Sequence, residues 1–281
     1  MSDWLHELPL AWMAILVFGL TFVVGAAVYA AVMKLAADGR VGSFKAISPG
    51  ILPTLGIIFG LFVAFTAAQV WNDNERAQAV IDREASALRT TLVLSPTFSR
   101  DAVARLHALI RDHIQETATR EWPMLAKHSA TLNFTPPALA EALQYTLALI
   151  PDTEGQKTAQ REIATAIENA LDARRQRILI SQSQVNGVKW TCLLVQAVCA
   201  LIAIAMAHSE NRLTSMITMT LFATGVAASV LLILSHDRPF TGEVSVKPAA
   251  LLQVMPESDK SYDKSEWVPR SFSFNRLRPT T

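Results

Sequence analysis

Charged residues are unevenly spaced along the chain, and four long apolar intervals separate them. Leu8–Met33 lies between Glu7 and Lys34, Ala46–Asn72 between Lys45 and Asp73, Trp190–Ala207 between Lys189 and His208, and Leu213–Ser235 between Arg212 and the His236-Asp237-Arg238 cluster. A helix needs roughly 20 apolar residues to cross a bilayer core, so each interval predicts a transmembrane helix. The first two are long enough to cross with tilt. Asp73–Gly187 has a different texture. Ala, Leu, Arg, Glu and Gln dominate it, and turn signals fall only at Ser95-Pro96, Asn133–Pro137 and Pro151–Gly155, which predicts three or four helices and no strands. In the last of them Ile163, Ile167, Leu171 and Ile178 recur at helical spacing opposite Arg161, Glu168 and Arg175, giving one face that must pack. No breaker separates Phe59 from Leu94, so the second span is expected to continue beyond the membrane as one rod. A second rod is expected from Thr158 towards the third span, with Gly187 as its flexing point.

The expected fold is therefore all-α, with four transmembrane helices and a helical extramembrane domain inserted between the second and third. Residues 1–72 hold transmembrane helices 1 and 2, residues 73–187 the helical domain, residues 188–240 helices 3 and 4, and residues 241–281 an extended tail. That tail carries Pro248, Pro256, Pro269, Pro279 and mixed charge, which suits an extended, surface-bound or partly disordered segment without a fold of its own.

Composition supports a membrane protein. Of 281 residues, 51% are hydrophobic and only 17% charged, and the mean hydropathy is +0.28, outside the range of ordinary soluble domains. With 25 Lys+Arg against 24 Asp+Glu overall, and 13 basic against 14 acidic residues in Asp73–Gly187, no nucleic-acid surface is expected. Cys192 and Cys199 fall inside an apolar run and are expected to be small buried residues, not a disulfide framework. Met1–Glu7 carries Asp3 and Glu7 but no basic side chain, so the first interval is expected to be a retained helix and not a signal. Near membrane ends, Arg76, Arg83, Arg174, Arg175, Arg177, Lys189, Arg238 and Lys247 share a side with both termini, against Lys34, Arg40, Lys45 and Arg212 opposite. Taken alone, the acidic leader followed by Lys34, Arg40 and Lys45 would put that loop in the cytoplasm and the middle region outside; the full tally favours the termini and the middle region in the cytoplasm.

Enzyme chemistry has no foothold. There is no HExxH, CxxC, P-loop or GxSxG, and His107 and His113 stand six apart, not on one helical face as a metal pair requires. No cofactor and no metal are expected. The spans hold no Asp, Glu, Lys or Arg, so a proton or ion relay has no seat, which leaves a passive pore or a non-conducting membrane-anchored scaffold or sensor that binds a cytosolic partner.

The second span carries the most information. Ser48-Pro49-Gly50-Ile51-Leu52-Pro53-Thr54 opens it, prolines being tolerated in a first turn. Gly56 and Gly60 form a GxxxG pair suited to helix packing. Leu55, Phe59, Phe62, Thr66 and Gln69 share one stripe, which either packs against lipid and other helices or forms a dewetting constriction. Trp71 closes the span as an interfacial aromatic. Asp73 and Glu75 beyond it either solvate a helix start or hold a cation at a pore mouth. Asp237-Arg238-Pro239-Phe240-Thr241-Gly242 ends the fourth span, with Arg238 placed either to concentrate anions or to bridge to Asp237, Glu84 or a lipid phosphate.

The Pro-Gly-rich start of the second span, Trp71, Glu84-Ala85-Ser86-Ala87-Leu88 and Asp237-Arg238-Pro239-Phe240-Thr241-Gly242 together resemble the bacterial bestrophin-like membrane proteins of the DUF4239 family, over about Ser48 to Val246. The resemblance implies an inner-membrane homo-oligomer, pentameric by analogy with the bestrophins, in contact with lipid and permeable to inorganic anions. It makes Leu55, Phe59 and Phe62 the expected pore neck, with Thr66, Gln69 and Arg238 lining the pore or its mouth. The run Glu257, Asp259, Asp263, Glu266 lacks the spacing of a calcium loop, so calcium gating is not expected.

Overall fold

The computed structural model describes residues 5–6, 8–37, 44, 51–133 and 135–256. Ser48-Pro49-Gly50, the acidic run from Glu257 to Glu266, Pro269 and Pro279 lie outside them. Nine α-helices follow one another among the described residues: α1 Leu10–Leu35, α2 Ile51–Leu94, α3 Arg100–Glu116, α4 Trp122–Ala126, α5 Pro137–Ala148, α6 Glu154–Ser181, α7 Gly187–Ala207, α8 Arg212–His236 and α9 Ala249–Gln253. Helices α1, α7, α8 and the first half of α2 are long and apolar enough to cross a membrane.

Local chemistry sets the helix ends. Helix α2 runs unbroken for 44 residues and stops at Ser95-Pro96-Thr97, where Pro96 supplies no N–H. The Ser99 hydroxyl accepts from the Ala102 N–H to start α3, and Thr153 accepts from Gln156 to start α6. Asn186 caps α7 through the Val188 N–H, and Asn211 caps α8 through Leu213 and Thr214. Each supplies an acceptor for the orphan donors of a first turn. Between α3 and α4 the chain makes a π-helical turn, Thr117–Glu121.

Buried apolar side chains form one cluster in the extramembrane helices and two between the spans. Ile81, Leu88, Ile110, Leu125, Ile163 and Ile167 are sealed inside the extramembrane helices, where α2 packs most extensively against α6. Met13, Val17, Phe59, Leu193, Val226 and Ile233 pack between the spans, with α1 against α8 and α7. The expected isoleucine stripe of α6 is inside: Ile163, Ile167 and Ile178 are fully buried. The closest helix approach by a glycine in the spans is Gly25 of α1, where a Cβ would lie 3.9 Å from that of Ala223 in α8.

Two expectations are corrected. The second rod does not run through to the third span: α6 ends at Ser181, and residues 182–186 separate it from α7, where Gly187 is the first helical residue. Cys192 and Cys199 face outward from α7, because Leu193, Ala197 and Ala200 occupy its inner face. Of the expected tail, the described part is bound to the protein's surface. Residues 237–256 form a strap over the extramembrane bundle, with Phe240 and Leu251 in its core.

The strap turns at Gly242, where φ is +89° and an added Cβ would stand 3.3 Å from the His6 carbonyl oxygen. Left-handed backbone disfavours any Cβ. Gly242→Ala is expected to cost about 1–2 kcal/mol, seen as a lower thermal unfolding midpoint of the purified protein in detergent.

Candidate functional site along the second helix

Helix α2 joins the spans to the extramembrane bundle, and its two long faces have opposite environments. One face turns to the protomer's own helices. Phe59 is 7% exposed and meets the Phe222 ring of α8 at a centroid distance of 5.6 Å. Thr66, Val70, Ala77, Ile81, Glu84 and Leu88 continue that buried side. The opposite face is bare from end to end: Ile57, Leu61, Ala64, Phe65 and Ala68 within the span, then Asn72, Glu75, Asp82, Arg83, Ser86 and Arg89 beyond it, are all exposed. Ile57, Leu61 and Phe65 stand four apart, so they form one ridge on a 3.6-residue helix. Of the four spans, α2 is the least covered by its own protomer.

Leu55, Phe59 and Phe62, the residues expected at the neck, lie on the covered side of α2. A side chain lining a pore on a symmetry axis must be bare on the isolated protomer, and Phe59 is not. Leu55 and Phe62 are half-buried, and Phe62 packs on the core that holds Phe59. Thr66 is buried and donates its hydroxyl to the Phe62 carbonyl, 2.8 Å away. Gln69 is half-buried and accepts from the Lys189 ammonium of α7. Leu55, Phe59, Phe62, Thr66 and Gln69 thus lie on the side of α2 that the protomer's own helices cover, which periodicity alone does not reveal. Gly56 and Gly60 are on open surface, with nothing within 4 Å of an added Cβ, so no helix of the protomer packs closely on them.

At the membrane boundary, exposed Trp71 donates its indole N–H to Glu75 at 2.7 Å and stacks on His236 at 6.0 Å. Asp73 pairs loosely with Arg76 at 3.8 Å. The Asn74 amide donates to the carbonyls of Val70 and His236, tying α2 to the end of α8. Asp237 accepts from the Val185 N–H at 2.6 Å and lies 3.8 Å from His6. Burial pushes its carboxyl above the usual range, and the Val185 N–H and Arg238 offset this only in part. Arg238 is 7% exposed, with a guanidinium nitrogen 3.5 Å from the Gln184 side chain. It does not stand at an open mouth. Pro239 accepts from the Val246 N–H at 2.8 Å, Phe240 meets Trp122 edge-on at 5.5 Å, and Thr241 donates to the Ala126 carbonyl. Asp237-Arg238-Pro239-Phe240-Thr241-Gly242 is thus the clasp of the strap.

Glu84, on the buried side of α2, is the centre of an array that sequence reasoning missed. Its carboxylate accepts from His113 Nε2 of α3 at 2.9 Å and from Arg177 of α6. Arg177 also pairs with Glu121 of the π-helical turn and lies under the Trp122 ring, 5.4 Å from its centroid. Arg174 donates to Glu121 at 2.6 Å. Glu84 and Arg177 are fully buried. At Glu121 burial raises the carboxyl pKa, but Arg177 and Arg174 together outweigh it and hold the group below its ordinary value. A lowered carboxyl contributes stability above its unfolded pKa and loses it as pH falls through the folded one, so this pair weakens on the acid side.

The fold and α2 can now be set beside known proteins. A family model for the bestrophin-like domain matches residues 17–251. The chain belongs to the bestrophin-like family. Bestrophin-like proteins of known structure share its architecture: a variant of a bacterial bestrophin homologue from Klebsiella pneumoniae is 11% identical with a TM-score of 0.65, covering 86% of this chain and 97% of that one. Another structure of a bacterial bestrophin homologue from Klebsiella pneumoniae is 11% identical with a TM-score of 0.59, covering 86% and 95%. A third match, described as a membrane protein, is 10% identical with a TM-score of 0.61, covering 86% and 96%. No curated protein matches the sequence. The protein is a membrane protein of the bestrophin channel family, all-helical among its described residues and with four apolar helices able to span a bilayer.

Proposed function

We propose that the protein is an anion-permeable channel in which copies of α2 surround the pore, with their bare faces inward and Ile57, Leu61 and Phe65 forming the neck. The carrying observation is the uncovered ridge of α2. It is apolar where it crosses the membrane and polar from Asn72 onward, as a dewetting constriction opening into a water-filled vestibule would be. Gly56, Gly60 and Ala64 lie beside the neck on the same open surface, where small residues let a second copy of α2 approach. Exposed Val93, Leu147 and Ile150 at the far end of the extramembrane bundle supply further apolar surface for contact between copies.

The oligomer is a pentamer by family analogy. The described N-terminal residues, the α6 to α7 connection and the end of α8 meet around His6, Val185 and Asp237, and the basic tally supports an orientation with that end, and the domain of residues 73–187, on the cytoplasmic side of the inner membrane. Beyond the neck the ridge carries Glu75 and Asp82 against Arg83 and Arg89, a balanced set, so preference for anions rests on the family resemblance and not on vestibule charge. The test is chloride efflux from liposomes holding the purified protein beside protein-free liposomes. Efflux is expected. A folded, inserted and oligomeric sample that passes no ion under any tested condition would favour the scaffold reading instead.

A further inference from the structure

The array around Glu84 has a property that packing alone does not require. It holds two carboxylates, Glu84 and Glu121, and two guanidinium groups, Arg174 and Arg177. With His113 uncharged the array is neutral, and with Glu84 ionised the imidazole Nε2 must carry the proton it donates. Arginine does not give up its proton in proteins, so an added proton can go only to Glu84, Glu121 or His113. Each choice leaves one unbalanced positive charge among side chains that are almost wholly buried, which is costly in a low-dielectric site. Protons also have a route. A cleft of about 160 Å³ has His113, Glu121 and Arg174 in its wall, with Glu116 and Arg120 beside them. Glu116 and Arg120 pair with each other at 3.7 Å, and the cleft is large enough for water.

The array also joins the right elements. Glu84 belongs to α2, the helix whose other face is the ridge, while its partners come from α3, the π-helical turn and α6. We propose that the Glu84–His113–Arg177–Glu121–Arg174 array is a proton-operated latch on α2, closed near neutral pH and released by acid, and that release raises the conductance of the pore. The gating half rests on the channel reading of α2; the latch itself does not.

Two readouts on the full-length protein keep these apart. Amide hydrogen exchange over residues 77–91, corrected for the chemical exchange rate, is compared at about pH 7.5 and about pH 5, alongside chloride efflux from liposomes at both. Wild type is expected to lose protection in this stretch on acidification and to pass chloride several-fold faster. Glu84→Gln, which carries no charge for acid to cancel, is expected to be weakly protected at both pH values. His113→Gln keeps an N–H donor for Glu84, so it guards against loss of folding in the first variant; its protection is expected near wild type at neutral pH, with release moved to lower pH. Protection that is independent of pH in wild type, or an acid response that both substitutions leave unchanged, overturns the latch. Protection that responds while efflux is present but indifferent to pH overturns the gating. A responding latch with no efflux at any pH removes the channel reading and leaves the latch standing.

Discussion

Arg177→Met is expected to destabilise the extramembrane bundle by about 3–5 kcal/mol, the usual cost of removing one partner from a buried charge pair. Arg177 is fully buried and serves two carboxylates, Glu84 and Glu121. Methionine fills much of the same volume, so the loss comes from stranding Glu84 with His113 alone and depriving Glu121 of one of its two guanidinium partners. The same reasoning gives a sharper comparison. Glu84→Leu combined with Arg177→Met removes a buried pair together and is expected to cost clearly less than Arg177→Met alone, since apolar replacement of both partners is often nearly neutral. Thermal unfolding of the detergent-purified variants, followed by circular dichroism, measures both. Equal losses for the single and double variants would mean that the two side chains do not act as a pair.

The second large effect concerns the ridge of α2. Leu61→Ala and Phe65→Ala are expected to raise chloride efflux several-fold with little change in unfolding temperature, because both side chains are exposed on the protomer, at 55% and 68%, and contribute to the neck and not to the core. Phe59→Ala is expected to do the reverse. Phe59 sits against Phe222 and between α2 and the other spans, so its truncation should cost about 3 kcal/mol and leave the efflux per folded channel near wild type. The two stripes lie on opposite sides of one helix, so a single set of alanine variants separates them.

Much of the architecture was visible in residue order alone. The four charge-free intervals became α1, the first half of α2, α7 and α8 to within a few residues, because in lipid the backbone must satisfy itself and the side chains must be apolar. The stretch after Gly60 became one helix for the plain reason that no proline or glycine occurs between Leu61 and Ser95. The neck was harder. Both faces of α2 are apolar within the span, and in a membrane an apolar side chain suits lipid, a neighbouring helix or a constriction equally well, so only the position of α8 settles where Phe59 points. For a related reason Cys192 and Cys199 were misplaced: an apolar run has no polar side to mark the outside. The array was hidden by distance in sequence. Glu84 and Arg177 are 93 residues apart, and nothing local to either shows that they meet.

The central claim is that the bare face of α2, and not its buried face, lines a conducting path. Substituted-cysteine block of chloride efflux tests it most directly. Cys192 and Cys199 face outward on α7 and are first replaced by alanine. Leu61→Cys and Phe59→Cys are then introduced separately, reconstituted into liposomes and exposed to a small water-soluble thiol reagent. The account predicts that efflux through the Leu61→Cys channel is blocked and that through the Phe59→Cys channel is not. Block at Phe59→Cys with an unaffected Leu61→Cys channel would contradict it and return the pore to the other side of the helix.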